Sequence, residues 1–515
     1  MEILKEMVGL HSRERTSFRL IFGVSKSRAN SKEAKLYDAI LHQKVHTDEQ
    51  AIRFLYPEAE GVYDRAVRKL YSNLKKRLEE KLLDAILKIK KDGLSDEETN
   101  FYHRAIFEVN RLYAIANTLN PLGLARTTIT VARKGLRKAE KAGFLVLAIN
   151  FCEILIRRHA FLGEKRKMLH YREVREQLEE QWKVERMLGD EITMLAAFFS
   201  HAQGISDEAV VHLGEKIEKL KAMREERKFS FMSLYRLHHI ESIYLQLIAA
   251  HEKNIALSDA WIREMRKYPK QATKGMQYGV IANKLLSRIY LGQKKEAYKT
   301  AEELCAVYDD GRESWFSAYH ARIICCFWFK DYQQALELFL YTYHSKDYKR
   351  HEYMLSEKWN LLRAYLYFFY KQGLIDISHL KEMERRIFEK FSLSRFLNEM
   401  PLSEKDKRGY NISLLVIQML ILMQQGKIGK IIDKVEALGA YATVHLRRNQ
   451  TYRSNCFIRM IVRAANRGFN KRVLEKDKYI IDLLEKMSSY PQKNPEVEII
   501  PYEHQWELFL SLLDD

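Results

Sequence analysis

A unit of two helical segments and a turn recurs along most of this 515-residue chain, and this repetition constrains the fold more than any other feature. Each turn is followed, five positions later, by a small or apolar residue on the second helical segment. The turns lie 38 to 53 residues apart, at positions 123, 163, 204, 252, 292, 330, 373, 426 and 468. Glycine occupies all of them except Glu252 and Lys330. Such a period predicts stacked helical hairpins, because one hairpin cannot bury its apolar faces alone.

The second segment of the unit at Lys330 carries the most specific pattern. Tyr332, Ala335 and Phe339 have the spacing found in the second helix of a tetratricopeptide repeat, and Ala297 repeats part of it after Gly292. The chain therefore resembles tetratricopeptide-repeat proteins. It is also similar to uncharacterised bacterial helical-repeat proteins with a short helical N-terminal module. The resemblance implies an all-α fold, a right-handed α-solenoid of about nine hairpins, and carries no activity or functional residues.

Composition narrows the fold class further. The chain has only 21 glycines and 7 prolines, while 47% of its residues are apolar. A disordered chain carries fewer apolar residues, and an α/β enzyme needs more glycine at its phosphate-binding turns. The five cysteines form no C-x-x-C pair, which favours reduced thiols over disulfides. The longest nearly apolar run, 412–423, is too short to cross a bilayer. We therefore expect a soluble, cytoplasmic protein.

The sequence divides into three segments. Residues 1–92 form a basic helical module, 93–490 the repeats, and 491–515 a proline-containing linker with an acidic helix. Within the module, Thr47–Gln50 has the pattern of a capping box and predicts a helix to about Leu55. Two further helices are predicted, over 31–42 and from about Val62 to Lys90. Three helices with a turn are one way to build a helix-turn-helix, although this turn is longer than usual.

Charge is concentrated in particular segments. The chain has a net charge of +19, of which residues 1–91 contribute +7 (20 Lys and Arg, 13 Asp and Glu). Residues 437–474 contain 8 Lys and Arg and no acidic residue, a net charge of +8. The tail, 491–515, has a net charge of −5. The excess positive charge therefore lies near the two ends of the chain, and the tail has the opposite sign.

The basic stretch before the tail supplies the first candidate site, for an anion or an acidic partner. Its candidate residues are Arg447, Arg448, Arg459, Arg463, Arg467 and Lys471. The last four are spaced four apart, so they share one helix face and repel one another. That cost suggests a compensating anion, although a solvated face or pairing with acids elsewhere in the fold explains the pattern equally well.

The tail offers one anion. Trp506, Phe509, Leu510 and Leu513 form an apolar stripe on a helix that also carries acidic residues. Two interpretations are open. The helix either caps the last repeat, or it lies against the basic stretch and blocks it until a partner displaces it.

Two functions are compatible with these features. The leading interpretation is a non-enzymatic scaffold or adaptor, whose groove and basic C-terminal face bind an acidic protein or peptide segment. The alternative is a nucleic-acid-binding regulator with a peptide- or protein-sensing solenoid. In that case DNA or RNA phosphates are contacted by Arg65, Lys69, Lys75, Lys76 and Arg77.

The sequence contains none of the common catalytic, nucleotide-binding or metal-binding motifs. No P-loop, dinucleotide-binding, nucleophile-elbow or H-E-x-x-H pattern occurs. His238 and His239 are adjacent, so they point in different directions on a helix. Cys325 and Cys326 lie in an apolar helical stretch that is typical of buried thiols. We therefore predict no catalytic residue, cofactor or metal site, and no membrane association.

Overall fold

A computed structural model shows an all-helical chain. It describes residues 1, 4–5, 7–8, 31–42, 44–57, 65–88, 99–199, 207–308, 311, 313–399, 410–445, 452–489 and 498–513. Within these residues every regular element is a helix, and no strand is present. The all-α prediction is confirmed. The chain separates into two compact units, Met1–Phe107 and Glu108–Asp515.

The first unit contains three helices that contact one another: α1 (Lys32–Leu41), α2 (Asp48–Leu55) and α3 (Arg65–Lys88). The Thr47 side chain accepts a hydrogen bond from the Gln50 backbone, and the Gln50 side chain accepts one from the Thr47 backbone. The predicted capping box is thus confirmed. The core of the unit includes Leu36, Leu74 and Leu78, all fully buried.

The remaining helices run from α4, which contains the boundary between the units, to α23 near the C-terminus. Their bounds are α4 Thr99–Leu119, α5 Ala125–Ala142, α6 Leu145–Phe161, α7 Lys165–Phe199, α8 Asp207–Glu226, α9 Phe231–Leu247, α10 His251–Met265, α11 Lys274–Tyr290, α12 Lys294–Cys305, α13 Glu313–Trp328, α14 Tyr332–Tyr343, α15 Tyr348–Lys371, α16 Glu382–Glu389, α17 Leu393–Glu399, α18 Tyr410–Gln424, α19 Ile428–His445, α20 Tyr452–Asn466, α21 Lys471–Glu475, α22 Lys478–Ser489 and α23 Tyr502–Leu510.

Helices of the second unit pack mainly against their neighbours in sequence. Alternate helices also pack on one another: α9 on α11, α11 on α13, α13 on α15, and α15 on α18. Helix α20 packs against α19, α22 and α23. We call α9, α11, α13, α15, α18 and α20 the first-helix layer, since each precedes a left-handed turn. One continuous apolar core extends from Ile281 to Phe509.

The turns occupy the predicted positions with one shift. Positive φ values occur at six of the seven predicted glycines, namely Gly123, Gly163, Gly292, Gly373, Gly426 and Gly468. The seventh, Gly204, lies outside the described residues. Lys330 also has a positive φ, of 60°, without being glycine. The remaining turn centres on Ala249 (φ 56°), three residues before the predicted Glu252.

Two further glycines with a left-handed backbone lie between predicted turns, Gly143 and Gly311, of which Gly311 has a φ of 85°. Gly143 has a φ of 78° and ends α5, which then packs closely on α6. A Cβ at Gly135 of α5 would lie 2.2 Å from Cζ of Phe151 on α6, so only glycine permits this approach. The forty-residue spacing therefore does not separate every pair of packed helices.

No helix in the described part of the chain is both long and apolar enough to cross a membrane. All five cysteines are buried and unpaired. Burial raises the pKa of the Cys152 thiol to about 12, so this thiol stays protonated at neutral pH.

Candidate functional site

The C-terminal segment, residues 498–513, is the acidic tail helix with the residues on either side of it. Tyr502, Trp506 and Phe509 are at most 4% exposed and belong to the core of the second unit. Leu510 and Leu513 pack against the same core and are partly buried. The apolar stripe predicted for the tail is therefore the face that the segment buries.

Helix α20 and the turn after α13 contact this segment, and Tyr290 of α11 senses its charge. The Phe457 ring of α20 stacks on Tyr502, with centroids 4.6 Å apart, and Ser454 Oγ lies 2.9 Å from Tyr502 Oη. In the turn after α13, Lys330 Nζ pairs with Glu507 at 2.6 Å. Burial, together with the negative charge of Glu498, raises the pKa of Tyr290, the last residue of α11. The segment therefore lies across helices that are distant in sequence.

Arg453 of α20 holds the C-terminal segment by charge. Its Nη2 donates to Glu498 Oε1 at 2.6 Å and to Glu503 Oε2 at 2.7 Å. Its Nη1 donates to Glu503 Oε1 at 2.9 Å and to the Met487 carbonyl at 2.6 Å, and its Nε donates to Glu498 Oε2 at 3.2 Å. All five guanidinium N–H groups can therefore be satisfied. The side chains of Arg453 and Glu498 are only 7% and 6% exposed.

This cluster contains two carboxylates and one guanidinium, so its charges do not cancel. Burial raises the pKa of Glu498, and Arg453 offsets only part of that effect. Burial also acts to raise the pKa of Glu503, but hydrogen bonds and attraction from Arg453 outweigh it, and the pKa is lowered. Glu498 Oε1 additionally accepts the Tyr502 backbone N–H at 2.8 Å, which satisfies a free donor at the start of α23.

The predicted single helix face of Arg459, Arg463, Arg467 and Lys471 is wrong, because α20 ends at Asn466 and the left-handed turn at Gly468 separates it from Lys471. Two of these residues are neutralised within the fold. Arg463 Nε and Arg467 Nε lie 2.9 and 3.2 Å from the same oxygen of Asp477. The Arg463 guanidinium also lies 5.7 Å from the centroid of the Tyr479 ring. Asp477 thus supplies the compensating anion that the spacing of these arginines suggested. Partner binding by these residues stays a prediction.

The other predicted residues of the stripe differ in their surroundings. Arg459 is exposed on α20, and Lys471 is half-buried at the first position of α21. Arg447 and Arg448 lie outside the described residues. The structure therefore brings Arg463 and Arg467 together around one carboxylate and leaves Arg459 facing solvent.

The predicted cations of the first unit fall into two groups. Lys75 Nζ lies 3.2 Å from both oxygens of Asp48, and Arg77 Nε lies 2.8 Å from Glu33 Oε1. These two residues link α3 to α2 and α1. The second group, Arg65, Lys69 and Lys76, is exposed on α3, and no carboxylate of the described residues pairs with it.

The described residues contain no group of three or more metal-ligating side chains. His238 is 5% exposed, and burial lowers the pKa of its ring to about 3. Its ring is therefore neutral at physiological pH.

Sequence reasoning missed the centre of the C-terminal contact. Arg453 lies in the acid-free stretch and Glu498 in the acidic tail, so charge alone identifies both segments. Nothing in the spacing distinguishes Arg453 from the other arginines. The available signal is its position: in a helix beginning at Tyr452, Arg453 lies among the apolar residues Cys456, Phe457 and Met460.

A second missed cluster is a buried polar set that joins three helices. Ser242 of α9 donates to Asn254 Oδ1 of α10 at 2.8 Å, and Asn254 Nδ2 donates to Ser287 of α11 at 2.9 Å. Asn283 Nδ2 of α11 donates back to Ser242 at 3.1 Å. These bonds fix the register of α9, α10 and α11.

Comparison with known proteins assigns this chain to no family. No protein-family model matches this sequence, and no curated protein and no solved structure resembles it at a significant level. Any function must therefore be inferred from the residues described above.

Proposed function

We propose that the second unit is a non-enzymatic protein-binding scaffold, built as an α-solenoid of tetratricopeptide-like hairpins. Two observations support the solenoid. Helices pack on their sequence neighbours, successive members of the first-helix layer from α9 to α18 pack on one another, and left-handed turns recur between them. Stacked hairpins of this kind present long faces on which extended or helical segments bind.

The observation that carries the proposal is the position of the chain's own C-terminal segment. An acidic amphipathic helix already packs on α20, reaches the turn after α13 through Glu507, and is held by aromatic contacts and by Arg453. This contact defines the chemistry that the face accepts. Its ligand carries aromatic residues spaced as in Tyr502, Trp506 and Phe509, together with carboxylates that reach a buried guanidinium.

The face also contains polar groups that the C-terminal segment leaves unsatisfied. Among the described residues, Tyr290 Oη, Trp328 Nε1 and Tyr365 Oη are buried and have no hydrogen-bond partner. The Tyr290 and Trp328 rings pack together, with centroids 5.3 Å apart. An unsatisfied buried polar group costs about 1–3 kcal/mol. A partner segment that supplied these hydrogen bonds would have an advantage over the internal one.

We infer that the scaffold binds an acidic, aromatic amphipathic helix of a protein partner, which competes with the C-terminal segment. Two ion-pair sites, one exposed and one buried, contribute to this binding. The Lys330–Glu507 pair is exposed, so it contributes little and is screened by salt. The Arg453 cluster is buried and is screened much less. Salt should therefore lower the association rate and weaken the affinity only modestly, because the buried Arg453 contacts slow dissociation at any salt concentration.

A labelled peptide of residues 498–513 tests the proposal with the full-length protein. In the protein, the Trp506→Ala substitution weakens the packing of the internal C-terminal segment, because it removes a buried indole that contributes about 3–5 kcal/mol. We expect the peptide to bind this variant at least tenfold more tightly than the wild type, as measured by fluorescence anisotropy. Phe161→Ala removes an aromatic ring that is 83% exposed and serves as the matched control.

A peptide carrying Glu498→Gln and Glu503→Gln tests the charge component. It should bind the Trp506→Ala protein more weakly than the unmodified peptide, because Arg453 then lacks a carboxylate partner. Absence of binding to a Trp506→Ala protein that keeps its helical circular dichroism would contradict the proposal.

A further inference from the structure

We propose that the first half of α3 in the first unit binds duplex DNA, with its exposed cations on the phosphate backbone. This inference is independent of the scaffold proposed for the second unit. It rests on the three exposed cations Arg65, Lys69 and Lys76 and on the absence of any carboxylate paired with them among the described residues.

The three cations share one narrow stripe of the helix. They occupy positions i, i+4 and i+11, which fall within about 40° of one another at 100° per residue. The stripe extends about 16 Å along the axis. The major groove of DNA is about 12 Å wide and admits an α-helix, so cations at the two ends of this stripe can reach the backbones on both sides.

The remaining predicted cations on this part of α3 border the stripe and hold the unit together. Lys75 and Arg77 lie on opposite sides of it, about 80° and 120° from Arg65. They bond Asp48 and Glu33 of the neighbouring helices. Their ion pairs fix the orientation of α3, so the exposed cations are held on a rigid element.

Within α3, Arg65 and Lys69 have no acidic residue one turn away, whereas Lys76 lies three and four positions before Glu79 and Glu80. Residues 65–78 contain six basic and no acidic side chains, and the first carboxylate of the helix is Glu79. Like charges at i, i+4 destabilise a helix by about 0.2–0.5 kcal/mol per pair. At the C-terminal end of α20, Asp477 relieves a similar repulsion between Arg463 and Arg467. On α3 a polyanion would do so.

The same face carries groups able to contact bases. Ser72 and Asn73 are exposed, and each lies within about 80° of Arg65 around the helix axis. Serine and asparagine side chains donate and accept hydrogen bonds at base edges in the major groove. A-form RNA has a major groove too deep and narrow for a helix. The combination favours DNA over duplex RNA.

Fluorescence anisotropy with a 20-base-pair DNA duplex of mixed sequence tests the inference on the full-length protein. The test variant is Arg65→Gln, Lys69→Gln and Lys76→Gln. The control is Arg126→Gln, Lys134→Gln and Arg137→Gln, which removes three exposed cations of α5 and gives the same net charge. Both variants are checked by circular dichroism. Titrations run from about 50 to 200 mM salt, where phosphate contacts govern affinity.

We expect the α3 variant to bind about 10- to 100-fold more weakly at low salt. Its salt slope should be smaller by about three, because three phosphates are no longer neutralised by the protein. The α5 variant should stay within threefold of the wild type. Three results would overturn the inference: no wild-type binding at 50 mM salt, an equal drop in affinity for the two variants, or equal affinity for an RNA duplex of the same length.

Discussion

Replacing Arg453 with methionine should destabilise the second unit by about 3–5 kcal/mol, the cost of removing one partner of a buried ion pair. The magnitude follows from the geometry of the cluster. The change removes five hydrogen bonds and leaves two carboxylates without a cation, one of them 6% and the other 28% exposed. Methionine keeps most of the apolar volume, so the effect is mainly electrostatic.

Urea unfolding at pH 7, followed by circular dichroism at 222 nm, measures this destabilisation. Arg459→Met is the control, because Arg459 lies on the same helix and is exposed. It should change the free energy of unfolding by less than about 0.5 kcal/mol.

Two further measurements separate charge from packing at Arg453. Adding Glu498→Gln and Glu503→Gln to Arg453→Met should restore part of the stability, because no buried charge remains unpaired. The deficit of Arg453→Met alone should also shrink as the pH falls toward 5. Both carboxylates then have a raised pKa in the folded state, so protonation favours folding. A destabilisation below about 1 kcal/mol, or no recovery in the triple variant, would refute the reasoning.

Three more predictions concern packing, turns and pH. Gly135→Ala should cost about 1–3 kcal/mol, because its Cβ would overlap Phe151, whereas Gly429→Ala, with open space around it, should be neutral or stabilising. Ala249→Gly should raise stability by a few tenths to about 1 kcal/mol, since its φ of 56° suits glycine; a lower melting temperature would contradict this. Because burial lowers the pKa of His238 to about 3, only the unfolded chain takes up this proton below about pH 6.5. The wild-type free energy of unfolding should therefore fall by up to about 1.4 kcal/mol per pH unit between pH 6 and pH 4, and a His238→Gln variant should lose less over this range.

The helical architecture is accessible from the sequence because local rules determine it. Apolar spacing near 3.6 residues marks a helix, and glycine marks a left-handed end such as Gly292. The same rules explain the errors. Ala249 has a left-handed backbone although it is not glycine, so no sequence signal marks its turn, and the repeat spacing places the turn wrongly at Glu252. Gly143 falls between two members of the forty-residue series, which hides its turn.

The C-terminal contact can be predicted only in part from the sequence, since it depends on residues far apart in the chain. Net charge identifies an acid-free stretch and an acidic tail, but Arg453 and Glu498 are separated by 45 residues. Among the eight basic residues of 437–474, Arg453 is identified as the partner of Glu498 by its burial, which only the folded chain shows. The repulsion argument for Arg463 and Arg467 correctly requires an anion. That anion is Asp477, ten residues beyond Arg467 and outside the acid-free stretch.

Hydrogen–deuterium exchange of the full-length protein, with and without excess unlabelled 498–513 peptide, tests the scaffold most directly. Residues 498–513 of the chain should exchange faster when the peptide is present, because the two compete for the same face, while α1, α2 and α3 should be unaffected. Unchanged exchange in residues 498–513 at peptide concentrations up to the millimolar range would contradict the account.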